Sequence, residues 1–140
     1  MIKKDALAIA LHFIKFRPRS VFEVEKKLKS KKFAEKEIDR VTSVLKKEKL
    51  LDDEKFAKMW VASRNNLRPS GSYVLKMELR RLGIADDIIE KVLTPQRDEV
   101  LAKKALDMKA RYREADFEKK AAFLQRRGFS TSVIYKILKD

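Results

Sequence analysis

Cysteine is absent from the 140 residues, which removes disulfides, zinc–thiolate sites and thiol catalysis together. Histidine occurs once, as His12. With no acidic or second histidine partner nearby in sequence, His12 reads as a surface or packing residue rather than a catalytic group or metal ligand. There is no glycine-rich phosphate loop and no cluster of carboxylates, so little is left from which to assemble a catalytic site. The expectation is a protein that is not an enzyme and that uses no cofactor and no metal. A run of about eighteen apolar residues is also missing, so nothing is expected to span a membrane. The opening Met1-Ile2-Lys3-Lys4-Asp5 leads into an apolar patch broken by His12 and Lys15, without a small-residue cleavage site. It does not read as a signal peptide, and a cytoplasmic location is the default. Glycine and proline are scarce too, three of each. With abundant Lys, Glu, Leu and Ala, that scarcity points to an all-helical chain.

What is present in excess is positive charge. Thirty-five basic against twenty-one acidic residues give a net charge of +14. The excess is +7 over residues 1–52, +2 over 53–95 and +5 over 96–140, so it is not confined to a tail. Such a distributed excess suits a polyanion as partner. An anionic membrane surface is the weaker fit, because no helix combines a wide apolar face with a basic flank.

The stretch from Leu50 to Ile84 shows the unit from which the chain is built. Asp52 or Asp53 can cap a helix, since a short carboxylate accepts bonds from first-turn amides and the helix dipole favours its charge. Phe56, Ala57, Trp60, Val61 and Arg64 follow at helical spacing. Arg68-Pro69-Ser70-Gly71 ends that helix and sets up the next. Val74, Leu75 and Leu79 then point inward, and Gly83 fits the left-handed position where a helix stops. Asp86 and Asp87 favour the start of a third, short helix ending near Leu93.

Sliding the sequence by about fifty residues superposes Arg17-Pro18 on Arg68-Pro69, Leu28 on Leu79, Ala34 on Ala85, Ile38 on Ile89 and Val41 on Val92. A slightly shorter slide places Ala102 on Ala57, Ala105 on Trp60, Leu124 on Leu79, Gly128-Phe129 on Gly83-Ile84 and Ile134 on Ile89. A period in this range signals tandem supersecondary units. The predicted fold is therefore all-α, three tandem three-helix repeats in an elongated, curved array, with repeats at residues 1–51, 52–94 and 95–140. Helices of about twelve residues are about 18 Å long and pack about 8–10 Å apart, so three bundles in a row reach very roughly 60 Å.

Within the repeats, the first helix is expected from about Lys4 to Phe16, with Ala6, Ile9, Ala10 and Phe13 on one face and Leu7, Leu11 and Ile14 widening it to two-sided burial. Ser20 and Glu23 form a capping box. Lys26, Lys27, Lys29, Lys31 and Lys32 crowd the far end of the following helix, partly to favour its C-terminus. In the last repeat, Thr94-Pro95 is expected to start a helix that runs to about Arg113 and carries Val100, Leu101, Ala105 and Met108. Phe117, Ala121 and Leu124 face inward, Arg126-Arg127-Gly128-Phe129 closes that helix, and Ser130 caps the final one.

An arginine fork matches a phosphate better than an ammonium does. The candidate nucleic-acid or filament contacts are accordingly Arg17, Arg19, Lys26, Lys27, Arg64, Arg68, Lys76, Arg80, Arg81, Arg126 and Arg127. Trp60 reads as core rather than a base-stacking residue; Tyr112 and Tyr135 are stacking candidates that position alone does not decide.

The pattern Arg17-Pro18-Arg19-Ser20 with Glu23 and Leu28, then Leu50-Leu51-Asp52-Asp53, Phe56-Ala57, Trp60, Arg64, Pro69, Gly71, Glu78-Leu79 and Gly83-Ile84, resembles the RecX family of regulators of the bacterial recombinase RecA. The likeness runs over nearly the whole chain and is most specific from Leu50 to Ile84. Lys32-Phe33 stands where the family usually has Gly-Phe, which puts the tightness of one helix stop in question. The resemblance implies three three-helix modules lying along the groove of a RecA filament on single- or double-stranded DNA. It also implies inhibition of ATP hydrolysis, strand exchange and stimulated repressor cleavage; a monomer without a membrane partner is expected. The alternative from the residues alone is a sequence-specific helix-turn-helix transcription regulator, since two helices joined by a short turn recur in every repeat.

Overall fold

The computed structural model describes residues 5–139, and those residues form ten helices and no strand. The first bundle consists of α1 (Ala6–Phe16), α2 (Val21–Ser30) and α3 (Glu35–Lys47). The middle bundle consists of α4 (Asp53–Leu67), α5 (Ser72–Arg81) and α6 (Asp86–Leu93). The last consists of α7 (Asp98–Asp107), the single turn α8 (Ala110–Arg113), α9 (Phe117–Arg126) and α10 (Thr131–Lys139). Each bundle buries its own apolar cluster. Ala6, Ala10, Val24, Leu28, Ile38, Val41 and Leu45 fill the first; Phe56, Ala57, Leu79, Ile84, Ile89 and Val92 the middle; Ala102, Ala105, Phe123, Leu124, Phe129 and Ile134 the last. Of the residues that the two slides superpose, Leu28, Leu79 and Leu124, and Ile38, Ile89 and Ile134, occupy equivalent core positions, while Ala34 and Ala85 are exposed at equivalent helix starts.

Caps fix where the helices begin. Asp5 accepts from the Ala8 amide at 2.7 Å, Asp52 from Lys55 at 3.1 Å, Asp116 from Lys119 at 2.9 Å and Ser130 from Val133 at 3.2 Å. Ser20 and Glu23 form the complete capping box. Each such cap contributes about 1 kcal/mol by satisfying an amide that has no partner inside the helix.

The middle helix of every bundle also stops in the same way. The amides of Phe33, Ile84 and Phe129 donate back to the carbonyls of Leu28, Leu79 and Leu124 at 3.2, 3.0 and 3.1 Å. The residue before each donor lies in the left-handed region: Lys32 at φ 67°, Gly83 at φ 79° and Gly128 at φ 90°. Lys32 therefore makes the same closed stop as the glycines and carries the cost of its side chain there, about 1 kcal/mol.

Several expectations are corrected. The predicted start of α1 at Lys4 lies outside the described residues. Of the residues expected to widen the buried face of α1, Leu7 and Ile14 pack half-buried against the first core, but Leu11 is exposed. Thr94 does not cap a new helix: its hydroxyl donates to the Glu90 carbonyl at 2.6 Å and closes α6, and the next helix waits until Asp98. That helix does not reach Arg113 unbroken. It ends at Asp107, whose carbonyl accepts both Nε and a terminal nitrogen of Arg113 at 3.0 and 2.9 Å. The chain then turns so that Tyr112 stacks on Phe123, with ring centroids 4.2 Å apart. Val100, Met108 and Phe117 are exposed rather than inward, Phe117 packing edge-on against Tyr135.

The bundles are joined end to end by one junction used twice. At the first, the Val21 amide in the opening turn of α2 donates to Asp53 of α4 at 2.9 Å. The Ser20 hydroxyl donates to the Leu82 carbonyl at the end of α5 at 2.7 Å. At the second, the Ser72 amide in the opening turn of α5 donates to Asp98 of α7 at 3.1 Å, and the Gly71 amide donates to the Arg127 carbonyl at the end of α9 at 2.7 Å. The amino end of one middle helix thus meets the carboxyl end of the next, an arrangement that the helix dipoles favour. Gly71 permits the close approach, because a Cβ there would stand 2.1 Å from the Gly128 carbonyl oxygen.

Asp53 is half-buried, and burial pushes its carboxyl above the ordinary aspartate range against the downward pull of the Val21 amide. Asp53→Ala is expected to cost about 1–3 kcal/mol by leaving the Val21 amide unpaired, whereas Asp53→Asn, which keeps an acceptor without a buried charge, is expected to stay near wild type; urea unfolding checks both. The raised carboxyl binds its proton more tightly folded than unfolded, so this group adds stability as pH falls through its raised value. Asp53→Asn should lack that increment. At the helix stops, Lys32→Gly is expected to raise stability by about 1 kcal/mol, and Gly83→Ala to lower it, since a Cβ would meet Phe22 at 2.2 Å as well as the positive φ.

Candidate nucleic-acid interface

The basic residues divide into those that hold the fold and those that face solvent. Arg19 belongs to the first kind: it donates from Nε to the Phe13 carbonyl at 3.1 Å, and its guanidinium lies 3.8 Å from the Phe13 ring centroid. Burial, with Arg17 nearby, lowers its pKa. Arg17 pairs with Glu23 and also donates to the Pro18 carbonyl. Arg64 is engaged more fully. Its fork meets the Glu78 carboxylate through Nε at 3.1 Å and a terminal nitrogen at 2.7 Å, and Trp60 donates to the same carboxylate at 3.0 Å. Residues one turn apart on α4 therefore converge on one acid of α5, and Trp60 packs against the middle core beside Phe56. Arg127 is only 8% exposed; it donates to the Pro69 carbonyl across the second junction at 3.0 Å.

The remaining candidate cations lie on α5, on α2 and in a cleft. On α5, Lys76, Arg80 and Arg81 all face solvent. Arg80 pairs with Asp86 at 3.1 Å and holds that carboxyl below its usual range. Both partners are solvated, so the pair is weak and a phosphate can compete for Arg80. On α2, Lys26 is exposed while Lys27 leans over the Phe13 ring, 5.4 Å from its centroid. His12 sits on the surface, edge-on to Phe16.

The third place is a cleft of about 450 Å³ between the middle and last bundles. Arg68, Arg126 and Arg127 meet there with Lys109, Arg111 and Tyr112. Lys109 and Arg111 were not among the sequence candidates, because they read as the charged end of one long helix; the break after Asp107 is what turns them into the cleft. The signal available in the sequence was the run of basic residues Lys109, Arg111 and Arg113 around Tyr112. Among the described residues no group of histidine and carboxylate side chains is arranged to hold a metal ion, and no helix is long and apolar enough to cross a membrane.

Three-helix bundles repeated in tandem, with a shared junction and basic surfaces, define a helical-repeat protein. Residues 52–93 match the family model of the second three-helix domain of RecX, and residues 6–43 match that of the first. The Regulatory protein RecX of Chlorobium phaeobacteroides (strain BS1) is 33% identical over 96% of this chain and 92% of its own length. That of Geobacillus thermodenitrificans (strain NG80-2) is 33% identical over 98% of this chain, which spans 54% of that relative. Among solved structures, RecX from Lactobacillus salivarius superposes with a TM-score of 0.84 at 26% identity, covering 96% of this chain and 92% of that one. The chain belongs to the RecX family of regulatory proteins.

Glu78 carries the middle bundle's polar tie. Glu78→Ala is expected to lower stability by about 1–2 kcal/mol, since Arg64 and the Trp60 N–H lose their shared acceptor; the Trp60 fluorescence maximum should shift as the indole loses that partner. Arg64→Lys, which keeps the charge but not the fork, should cost only part of that loss.

Proposed function

We propose that this chain is a non-enzymatic regulator that binds the RecA recombinase filament and its DNA along the filament groove and inhibits ATP hydrolysis, strand exchange and repressor cleavage. The observation that carries the reading is the repeated junction, which sets three similar bundles in one row. A row of like units is suited to a partner that itself repeats, such as a filament, and the positive charge along the row suits the phosphates that the filament holds. Membership of a family of regulatory proteins supports the same conclusion. The protein acts as a cytoplasmic monomer, with modules at residues 1–51, 52–94 and 95–140. Arg17, Lys26, Arg68, Lys76, Arg80, Arg81 and Arg126 supply contacts to single- or double-stranded DNA or to the filament. Arg19, Lys27, Arg64 and Arg127 act mainly by holding those surfaces in place.

The direct experiment adds the purified protein to preformed RecA filaments and follows ATP hydrolysis. Inhibition is expected at protein amounts below one per recombinase subunit, and an unchanged rate contradicts the proposal. If about six cations meet phosphates, affinity for filament or DNA falls roughly a thousandfold between about 50 and 200 mM salt, which a fluorescence-anisotropy titration at several salt concentrations measures. Arg80→Glu with Arg81→Glu should weaken that binding while leaving helicity by circular dichroism intact.

A further inference from the structure

We propose that the cleft between the middle and last bundles is a phosphate-binding site whose occupant ties those two bundles together. Its walls come from both sides of the junction: Arg68 and Pro69 lie in the turn between α4 and α5 of the middle bundle, and Lys109, Arg111, Arg126 and Arg127 come from the last. Five cations share this space, and none of them pairs with a carboxylate among the described residues. The Arg127 guanidinium feels the crowding: burial, then the charges of Arg68 and Arg64, lower its pKa. Two further guanidiniums are held in place by an aromatic stack. Tyr112 lies on Phe123, Arg126 donates to the Tyr112 hydroxyl at 3.2 Å, and the Arg111 guanidinium stands 5.0 Å from the Tyr112 ring centroid.

The repeat supplies the control. The equivalent space at the first junction is about 240 Å³ and is lined by Arg17, Pro18, Phe56, Met59, Trp60 and Ser63. There, Arg17 pairs with Glu23, which Arg19 also approaches at 4.0 Å, and the large Trp60 lines the space. In the register that superposes the repeats, Arg68 replaces Arg17 but Val74 replaces Glu23, so the partner carboxylate is gone. Ala105 replaces Trp60, which opens the volume, and Arg127 replaces the apolar Leu82. At the first junction the cations thus have carboxylates beside them, Glu23 with Arg17 and Arg19 and Asp52 in an adjoining groove of about 500 Å³ with Lys15, Lys49 and Lys55, whereas the five cations of the second have none. A multiply charged phosphate fits the second: arginine forks match its oxygens, the volume is that of a small-ligand pocket, and the like charges facing each other across the junction would be reconciled by an anion between them. The phosphate can come from a free polyphosphate or from the backbone of a nucleic acid. For the second source the inference rests on the nucleic-acid half of the proposed function, but its test does not use the recombinase.

The full chain is titrated with inorganic tripolyphosphate at about 150 mM salt, near the point where the screening length is about 8 Å, and separately with a short oligothymidylate. Amide chemical shifts and calorimetric affinities are read. The expected result is that shifts concentrate at Tyr112, Arg127 and Gly128. A variant with Arg68→Gln, Lys109→Gln and Arg111→Gln should bind at least about tenfold more weakly, roughly the loss of one good contact. The equally charged control with Lys36→Gln, Lys103→Gln and Lys104→Gln, all at exposed positions, should change affinity less than about twofold. Tripolyphosphate that oligothymidylate fails to displace from these residues assigns the site to free polyphosphate; mutual displacement assigns it to nucleic-acid backbone as well. Equal weakening in both variants, shifts spread over all the basic surfaces, or binding of neither probe overturns the proposal. Should the cleft variant lose helicity, the wild-type shift map decides alone. Loss of recombinase inhibition with phosphate binding intact would count against the proposed function and not against this site.

Discussion

The structure depends on two backbone amides that a helix by itself cannot satisfy. Val21 and Ser72 open their helices, where the first amides have no intrahelical acceptor, and each finds one in an aspartate of the following bundle, Asp53 and Asp98. The carboxylate therefore stabilises a helix in one bundle while sitting at the start of a helix in the next. No bundle's helix starts are complete without its neighbour, apart from the last. The second bond of each junction runs from Ser20 or Gly71 to the carbonyl of Leu82 or Arg127, and it removes an unsatisfied group from the opposite end. Three small cores that bury little surface individually are in this way set in a defined order along the chain.

The repeat of the junction also explains why the basic residues do not all do the same thing. Arg17 and Arg68 follow the same turn, yet Arg17 has Glu23 beside it and Arg68 has Val74. Arg127 and Leu82 are equivalent in position, and the former donates to Pro69 across the junction. Charge that appears as a general excess in the composition is, in the folded chain, divided between cations that bind carbonyls and carboxylates inside the protein and cations that face solvent without a carboxylate beside them. Arg64 illustrates the first use: its fork and the Trp60 indole meet on Glu78, so the chemistry that makes arginine a good phosphate ligand serves here to lock α4 to α5.

Much of this was legible in the sequence, and what was not has physical causes. The core positions Leu28, Leu79 and Leu124, the stops at Gly83 and Gly128 and the capping box at Ser20 and Glu23 follow from spacing and local hydrogen-bond geometry, which a sequence carries directly. The break after Asp107 did not follow, because no proline or glycine marks it; it is held by Arg113 on the Asp107 carbonyl and by Tyr112 on Phe123, contacts made only once the chain has turned. Asp53 read as a possible cap of its own helix, whereas Asp52 takes that role and Asp53 reaches across to Val21. The cleft was hidden for the same reason: Arg68 lies far in sequence from Arg111 and Arg126, and only the junction brings them to one space.

The measurement that tests this account most directly is native-state hydrogen exchange at the amides of Val21 and Ser72. Amides in a helix's opening turn ordinarily exchange quickly, so protection at these positions has to come from Asp53 and Asp98. The account predicts slow exchange at both in the wild type and selective loss at Val21 in Asp53→Ala and at Ser72 in Asp98→Ala. Fast exchange at both amides in the unaltered protein would contradict it.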